Sequence, residues 1–179
     1  MLLFPDNTVL VNFTLMHQQE LLAHLVSGRS AWTATVAQEC ARSALEPGLE
    51  KMAQMSQLFG VPLRLETAHE IVDATAFRTQ MAAPGDPPSR HLGEAEALAI
   101  ISNRLDGSVF VTDDSGARIV AQAVGVRTYS TCHLLKLAVR SRKITVHEAW
   151  AHVVALRRAR RHLLDSPREE TNFFAWCAA

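Results

Sequence analysis

Residues 109–125 read VFVTDDSGARIVAQAVG. Three apolar residues precede Thr112, two aspartates follow it, and a helical pattern begins at Ser115. A short, β-branched and continuously apolar run is typical of a strand buried on both faces of a parallel sheet. Asp113 and Asp114 repel each other, so placing them side by side gains nothing unless a helix N-terminus or a cation offsets their charge.

The rest of the chain also alternates between short apolar runs and helical patterns. Strands are predicted at residues 1–4, 108–112 and 126–129, with an edge strand at 61–65. Helices are predicted at residues 9–26, 33–45, 49–59, 93–105, 115–124, 131–140 and 145–164, with a loop at 83–90. Strands that alternate with helices predict an α/β domain whose central, mostly parallel sheet is covered by helices on both faces.

The composition limits the class of protein. A chain of 179 residues, 48% hydrophobic and 20% charged, suits one globular domain with a sizeable core. No apolar run is long enough to predict a membrane span, and the apolar start lacks the basic residues of a signal peptide and is interrupted at Pro5. The three cysteines form no C-x-x-C pair, which favours free thiols and a cytoplasmic location.

The net charge of zero conceals an asymmetry along the chain. Residues 1–114 carry 14 Asp and Glu against 7 Lys and Arg, whereas residues 115–179 carry 11 Lys and Arg against 4 acids. This division is consistent with an acidic metal site beside a phosphate-attracting surface, and solvated helix faces would produce it equally well. The basic residues considered for RNA contact are Arg140, Arg142, Lys143, Arg157, Arg158, Arg160 and Arg161.

Six acidic residues from four separate segments are candidates for a metal site. They are Asp6, Glu39, Glu94, Glu96, Asp113 and Asp114. In open α/β sheets, ligand-binding sites lie beyond the carboxyl ends of the strands. The three aspartates of this set are predicted to lie there. Each acid also has a structural explanation, because aspartates cap helices, glutamates favour a first helical turn, and a glutamate within a helix is commonly solvated. Their origin in four segments favours one shared site.

Four pieces of the sequence, taken in order, resemble the PIN-domain nucleases, especially the VapC-like toxin ribonucleases and their close relatives. They are FPDNTVLVNF (4–13), VAQECA (36–41), HLGEAEALAI (91–100), and the opening stretch with its continuation RTYSTCHLLKLAVRSRKIT (127–145). The resemblance covers residues 1–145 and implies a PIN-like three-layer α/β/α fold. A single PIN-like domain over residues 1–179 would then add a basic helix at 145–164 and a tail at 165–179. The tail's aromatic residues, Phe173, Phe174 and Trp176, are expected to pack on the domain or to join a homodimer contact.

The resemblance implies roles for individual acids. It assigns catalysis to Asp6, Glu39, Glu94 and Asp113, with Thr8 as a hydroxyl that supports the first of them. Glu94 and Glu96 lie about 200° apart on a regular helix, so we expect only one of them to face the metal. Asp113 and Asp114 also diverge in direction, so we expect one ligand and one helix cap or outer acid. Which member of each pair is the ligand stays open at this point.

The activity that the resemblance implies is metal-dependent endonucleolytic hydrolysis of RNA. Clustered carboxylates are hard ligands that suit Mg²⁺ or Mn²⁺ better than zinc. The implied partners are an RNA substrate and, for the toxin of a toxin–antitoxin pair, an antitoxin protein. The alternatives are a non-catalytic PIN-like nucleic-acid-binding or regulatory module, and an unrelated α/β protein whose acids are only helix caps.

Other catalytic motifs fail on their spacing. The sequence HEAWAH (147–152) is one residue longer than the metalloprotease motif H-E-x-x-H. Its two histidines point about 140° apart on a helix and cannot share a zinc ion. The chain contains no G-x-G-x-x-G fingerprint and no P-loop, and Ser115 has no histidine in a recognisable triad pattern.

Overall fold

The sheet at the centre of the molecule has three strands, all parallel, in this computed structural model of residues 1–179. The strands are β1 (Leu3–Pro5), β2 (Val109–Val111) and β3 (Arg127–Tyr129), in the spatial order β1-β2-β3. Val109 of the central strand pairs with Leu3 on one side and with Arg127 on the other. All three residues of β2 are buried, as the continuous apolar run predicts.

Ten α-helices and one 3-10 helix (Glu50–Gln54) accompany the sheet. The helices are α1 (Asn7–Leu15), α2 (Gln19–Val26), α3 (Ala34–Ser43), α4 (Met55–Phe59), α5 (Ala68–Met81), α6 (Leu92–Arg104), α7 (Ser115–Ala123), α8 (Thr131–Arg140), α9 (Val146–Arg158) and α10 (Glu170–Ala178). None of them combines the length and apolar composition needed to cross a bilayer.

The two faces of the sheet are covered by different helices. Successive strand residues point to opposite faces. Leu3 and Val109 therefore join a core that includes residues of α1, α2, α3, α8, α9 and α10. Phe4 and Phe110 join a second core with residues of α5, α6 and α7. The result is the three-layer α/β/α arrangement expected from the sequence.

Predicted elements in the first third of the chain differ from those observed. The helical pattern over residues 9–26 is divided into α1 and α2 at His17, whose φ of 55° lies in the left-handed region. The pattern at 49–59 is a 3-10 helix followed by α4. Residues 61–65 form no strand, and Leu63 makes only an isolated parallel bridge. Pro62 lacks the N–H that a longer ladder would need.

The sequence pattern does not predict α5, which packs against α6. Only three of its side chains are buried, and one of them is Glu70. The fully buried Glu70 carboxylate pairs with Arg104 Nε of α6 at 2.7 Å. This ion pair joins α5 to the helix that carries Glu94.

The C-terminal part of the chain is helical and belongs to the first core. Phe173 of α10 is fully buried and packs against Trp150, with ring centroids 5.5 Å apart. The expectation that the aromatic tail packs on the domain is therefore confirmed, although the tail itself is a helix. The basic helix predicted to reach residue 164 ends at Arg158.

Residues 159–169, which connect α9 to α10, are called the C-terminal segment below. Side chains from α1 and α7 anchor this segment. Arg118 of α7 forms a bidentate ion pair with Asp165, with Nη1 of the arginine 2.8 Å from Oδ1 of the aspartate. Arg161 Nε donates to Asn12 Oδ1 of α1 at 2.7 Å. The segment thereby lies across the carboxyl ends of β1 and β2.

Candidate functional site

The carboxyl ends of β1 and β2 bring three aspartates to one edge of the sheet. Pro5 and Val111 are in register, and the N–H of Asp6 donates to the Val111 carbonyl at 2.9 Å. The residues that follow the two strands are therefore neighbours. Asp6 is the N-cap of α1, and Asp114 is the N-cap of α7.

Asp6 is buried and held by three hydrogen-bond donors. Its Oδ1 accepts from Thr8 Oγ1 at 2.6 Å and from the Val9 N–H at 3.0 Å, and its Oδ2 accepts from Thr112 Oγ1. Burial and the charge of Glu94 raise the pKa of Asp6 to about 8, although the three hydrogen bonds lower it. The carboxylate is thus fixed in orientation but destabilised as an anion.

Glu39 and Glu94 approach each other where α3 crosses α6. Gly93 makes the approach possible, because a Cβ at this position would lie 2.9 Å from Val36 Cγ2 and 3.2 Å from Glu39 Oε2. Burial and Glu94 raise the pKa of Glu39 to about 7, while Arg42 lowers it. Burial also raises the pKa of Glu94 itself, and Asp114 contributes to this increase.

Glu94 and Glu96 have different surroundings, as their angular separation predicts. Glu96 Oε2 accepts a hydrogen bond at 3.3 Å from the N–H of Thr35, in the first turn of α3. An acid at a helix N-terminus is stabilised by the helix dipole. Glu94 instead offers a carboxylate oxygen to a group that includes Asp114.

Asp113 and Asp114 also divide between two environments. Asp113 Oδ1 accepts from the Leu164 N–H at 3.1 Å, and Oδ2 accepts from Asn12 Nδ2 at 3.0 Å and from the Thr131 N–H at 3.3 Å. Burial raises the pKa of Asp113, and these hydrogen bonds oppose the shift. Asp114 Oδ1 accepts from the Ala117 N–H at 2.8 Å, which is the helix cap.

His91 joins these acids, although no sequence motif predicts it as a ligand. One ligand atom from each of His91, Glu94 and Asp114 can be chosen so that all lie within 4.8 Å of one another. His91 immediately precedes α6 and has a φ of 61°, and its Nδ1 lies 3.8 Å from Glu94 Oε1 in the first turn of that helix. No spacing motif marks it, because the left-handed backbone that places it is not evident from the sequence. Its only signal is its position two residues before the G-E-A-E run.

A polar cleft of about 440 Å³ adjoins the acids. Its lining consists of Thr8, Asp113, Asp114, Ser115, Arg160, Arg161 and His162. Two of the seven basic candidates, Arg160 and Arg161, therefore border the acidic edge. Arg157 does not, because its guanidinium donates to Ser166 Oγ and Pro167 O, each at 2.6 Å, and holds the C-terminal segment. The other four basic candidates lie outside the cleft lining.

The donors at the sheet edge fit a divalent cation. Carboxylate oxygens dominate the group, and His91 Nδ1 is a buried nitrogen without a hydrogen-bond partner. A side-chain nucleophile is not evident nearby. Burial and the neighbouring Glu39 raise the pKa of Cys40 to about 12, so its thiol stays protonated at neutral pH. This chemistry favours an activated water over a covalent enzyme intermediate.

The raised pKa values predict that the metal-free protein loses stability as pH rises. Folding raises the pKa of Asp6 from 3.8 to about 8 and that of Glu39 from 4.5 to about 7. Between these limits the folded chain keeps protons that the unfolded chain has released, so stability is full near pH 4 and falls towards pH 8. We expect the free energy of unfolding in EDTA to be lower by about 2 kcal/mol at pH 8 than at pH 5.5.

Urea denaturation at the two pH values measures this loss. Asp6→Asn carries no charge at that position and should show a visibly shallower dependence on pH. Equal slopes for the wild type and the variant would contradict the assignment of the effect to Asp6.

The three-layer fold brings acids from separate segments to the carboxyl edge of a parallel sheet, and His91, Glu94 and Asp114 form a group with the spacing of metal ligands. A family model described as a PIN domain matches residues 4–170. The chain belongs to the PIN-domain family. PIN domains are generally nucleases that act on nucleic acid and typically use a divalent metal. No curated protein and no solved structure matches the chain.

Proposed function

We propose that this chain is an endoribonuclease that hydrolyses RNA phosphodiester bonds with Mg²⁺ or Mn²⁺. The observation that carries the proposal is the convergence of acids from separate segments, with carboxylate oxygens of Glu94 and Asp114 within 4.8 Å of each other. Glu94 raises the pKa of both Asp6 and Glu39, and Asp114 raises that of Glu94. Neighbouring carboxylates repel one another, which raises their pKa values. A divalent cation between them attracts each carboxylate and favours the charged form.

We assign the metal to Asp6, Glu39, Glu94 and Asp114. Asp114 is preferred to Asp113 because its carboxylate groups with Glu94, whereas burial is the main cause of the raised pKa of Asp113 and its hydrogen bonds are the main opposing effects. Glu94 is preferred to Glu96 for the same reason. In this proposal Asp113 and Glu96 are outer acids: Asp113 holds the C-terminal segment, and Glu96 contacts the start of α3.

The chain's own residues prepare this site for catalysis. A bound ion would supply a water of lowered pKa and positive charge against the phosphate. Thr8 and Thr112 fix the Asp6 carboxylate before any ion arrives, so little rearrangement accompanies binding. Asp114 uses Oδ1 for the helix cap, which leaves Oδ2 for the ion.

The polar cleft is the proposed path of the RNA backbone. Arg160 is exposed in it, while Arg161 is held by Asn12 and by the Thr8 carbonyl. Phosphate contacts of this kind add affinity without sequence preference and weaken with salt. Arg157 is excluded from this surface because its guanidinium is already occupied. Arg140, Arg142, Lys143 and Arg158 are exposed but lie outside the cleft lining, so they are not part of the proposed path.

Arg160→Gln should weaken RNA binding by about 3- to 10-fold at low salt and reduce the salt slope by about 0.7. Arg142→Gln is the matched control. Both arginines are exposed, both lie two residues after a helix end, and their φ values are 55° and 57°. Fluorescence anisotropy with a labelled RNA in EDTA measures binding without cleavage. Equal losses for the two variants would remove the cleft from the proposal.

Three narrower parts of the proposal come from the resemblance to VapC-like ribonucleases. They are a toxin role with an antitoxin as partner, a homodimeric state and a cytoplasmic location. A toxin should arrest the growth of a bacterial host on expression, and Asp6→Asn should relieve the arrest. Sedimentation of the purified chain would report the homodimer.

Cleavage of RNA by metal-stripped protein tests the main proposal. Wild type should cut a mixed RNA substrate only after Mn²⁺ or Mg²⁺ is added, and EDTA should stop the reaction. Asp6→Asn, purified identically, reports any contaminating ribonuclease. If the wild type binds RNA but never cuts it with either ion, the chain is the non-catalytic PIN-like module instead.

A further inference from the structure

His91 has the features of a metal ligand rather than of a surface histidine. Its side chain is only 10% exposed, and its Nδ1 is buried without a hydrogen-bond partner. That atom lies 3.8 Å from Glu94 Oε1, which is too far for a hydrogen bond. A buried polar atom normally has a partner, so an orphaned nitrogen facing carboxylates requires an explanation.

The other ring nitrogen of His91 faces a second, separate group. Nε2 accepts a hydrogen bond of 3.4 Å from Arg90 Nε and lies 4.0 Å from Asp86 Oδ2, and Arg90 Nη1 lies 3.3 Å from Asp86 Oδ1. The Arg90 contact is longer than an ordinary N–H···N bond, and Arg90 is largely exposed. The carboxylate on that side of the ring is Asp86, which at 4.0 Å from Nε2 is also too far for a direct hydrogen bond.

The backbone at His91 is also costly to maintain. Its φ of 61° is uncommon for a residue with a side chain, although histidine is among the residues that tolerate this region best. Such conformations persist where the surrounding structure enforces them, and they cluster at functional sites. Here the conformation turns the imidazole into the acidic group.

We propose that His91 Nδ1 is a nitrogen ligand of the divalent cation, beside Glu94 and Asp114, and that it directs the site towards Mn²⁺ over Mg²⁺. The inference rests on the proposed metal site and adds to it a ligand and a selectivity. Mg²⁺ is a hard cation that takes oxygen donors almost exclusively, whereas transition-metal ions also accept imidazole. One nitrogen among carboxylates therefore favours a transition-metal ion that still tolerates oxygen ligands.

His91→Asn is the variant that tests this inference, because asparagine also tolerates a left-handed backbone. His17→Asn is the matched control: His17 has a φ of 55°, is exposed, and is not a member of the site. Titration calorimetry on metal-stripped protein should give tighter binding of Mn²⁺ than of Mg²⁺ for the wild type and for His17→Asn. His91→Asn should lose Mn²⁺ affinity by about tenfold or more and Mg²⁺ affinity by much less.

Pulsed EPR of bound Mn²⁺ gives a second readout that does not depend on activity. The wild type and His17→Asn should show modulation from a coordinated ¹⁴N nucleus, and His91→Asn should not. Mn²⁺ that binds the wild type without this signal, or an equal loss of both ions in His91→Asn, overturns the role of His91 and leaves the carboxylate site intact. Failure of the wild type to bind either ion overturns both this inference and the proposed function.

Discussion

Replacement of Glu94 by glutamine is expected to lower metal-dependent RNA cleavage by about a thousandfold, or about 4 kcal/mol in activation free energy. Glu94 is the acid whose charge affects both Asp6 and Glu39. Glutamine keeps its size and one oxygen but removes the negative charge that attracts the ion. Loss of that charge therefore weakens binding of the ion and changes its position relative to the remaining ligands.

The same substitution should stabilise the metal-free protein. The repulsion of Glu94 with Asp6, Glu39 and Asp114 disappears when its charge is removed, and we expect a gain of about 1 kcal/mol in EDTA. Addition of Mn²⁺ should then stabilise the wild type more than the variant, because only ions that bind the folded state shift its stability. A loss of activity together with a gain of stability distinguishes a functional acid from a structural one.

Glu96→Gln is the matched control for Glu94→Gln. It lies two residues away on the same helix, and its glutamine can still accept the hydrogen bond from the Thr35 N–H. Its cleavage rate should stay within a few-fold of the wild-type rate. If the two variants lose activity equally, or if Glu94→Gln stays active, Glu94 is not the central ligand.

The sequence was sufficient to predict the sheet and the general position of the site. The apolar run at 109–111 and its position before a helix predict a buried parallel strand, because hydrophobic burial on both faces requires that pattern. Placement of acids after β1 and β2 then follows from parallel topology alone. The apolar runs and the acids that follow them are local in sequence, so they can be recognised without knowledge of any long-range contact.

Other elements depend on contacts that the sequence does not display. In α5 the buried face contains Glu70, whereas Ile71 and Val72 are exposed, so the apolar periodicity of a surface helix is absent. Arg104, more than thirty residues later, is what makes burial of that glutamate tolerable. Likewise, nothing in the local sequence marks the left-handed turn at His17 that ends α1.

The same limit applies within the candidate site. Angular separation on a helix predicts that Glu94 and Glu96 diverge, but it does not predict which of them meets the other acids. That choice depends on Gly93 and on the close approach of Glu39 from α3. His91 depends on a backbone conformation, and the role of Asp113 depends on residues up to Leu164.

Asp113→Ala should reduce the free energy of unfolding by about 3 kcal/mol or more, whereas Asp114→Ala should reduce it by about 1 kcal/mol or less. Removal of the buried Asp113 carboxylate leaves the Leu164 N–H and the Thr131 N–H without their acceptor, while Asn12 Nδ2 keeps only Thr131 Oγ1. Loss of Asp114 removes one helix cap, and relief of its repulsion with Glu94 offsets part of that cost. Urea denaturation in EDTA measures both values.

The two variants should rank in the opposite order for Mn²⁺ affinity, with the larger loss in Asp114→Ala. Asp114→Ala should bind the ion at least about tenfold more weakly, because an oxygen ligand is lost, while folded Asp113→Ala should keep most of its affinity. Asp113→Asn would not be a milder substitution. The asparagine NH₂ group would face the N–H groups that now donate to the Asp113 carboxylate, so donors would meet donors. If Asp113→Ala instead folds normally and no longer binds Mn²⁺, then Asp113 is the ligand and Asp114 serves only as the cap of α7. In that case the ion would lie closer to the C-terminal segment, whose Leu164 N–H donates to Asp113 Oδ1.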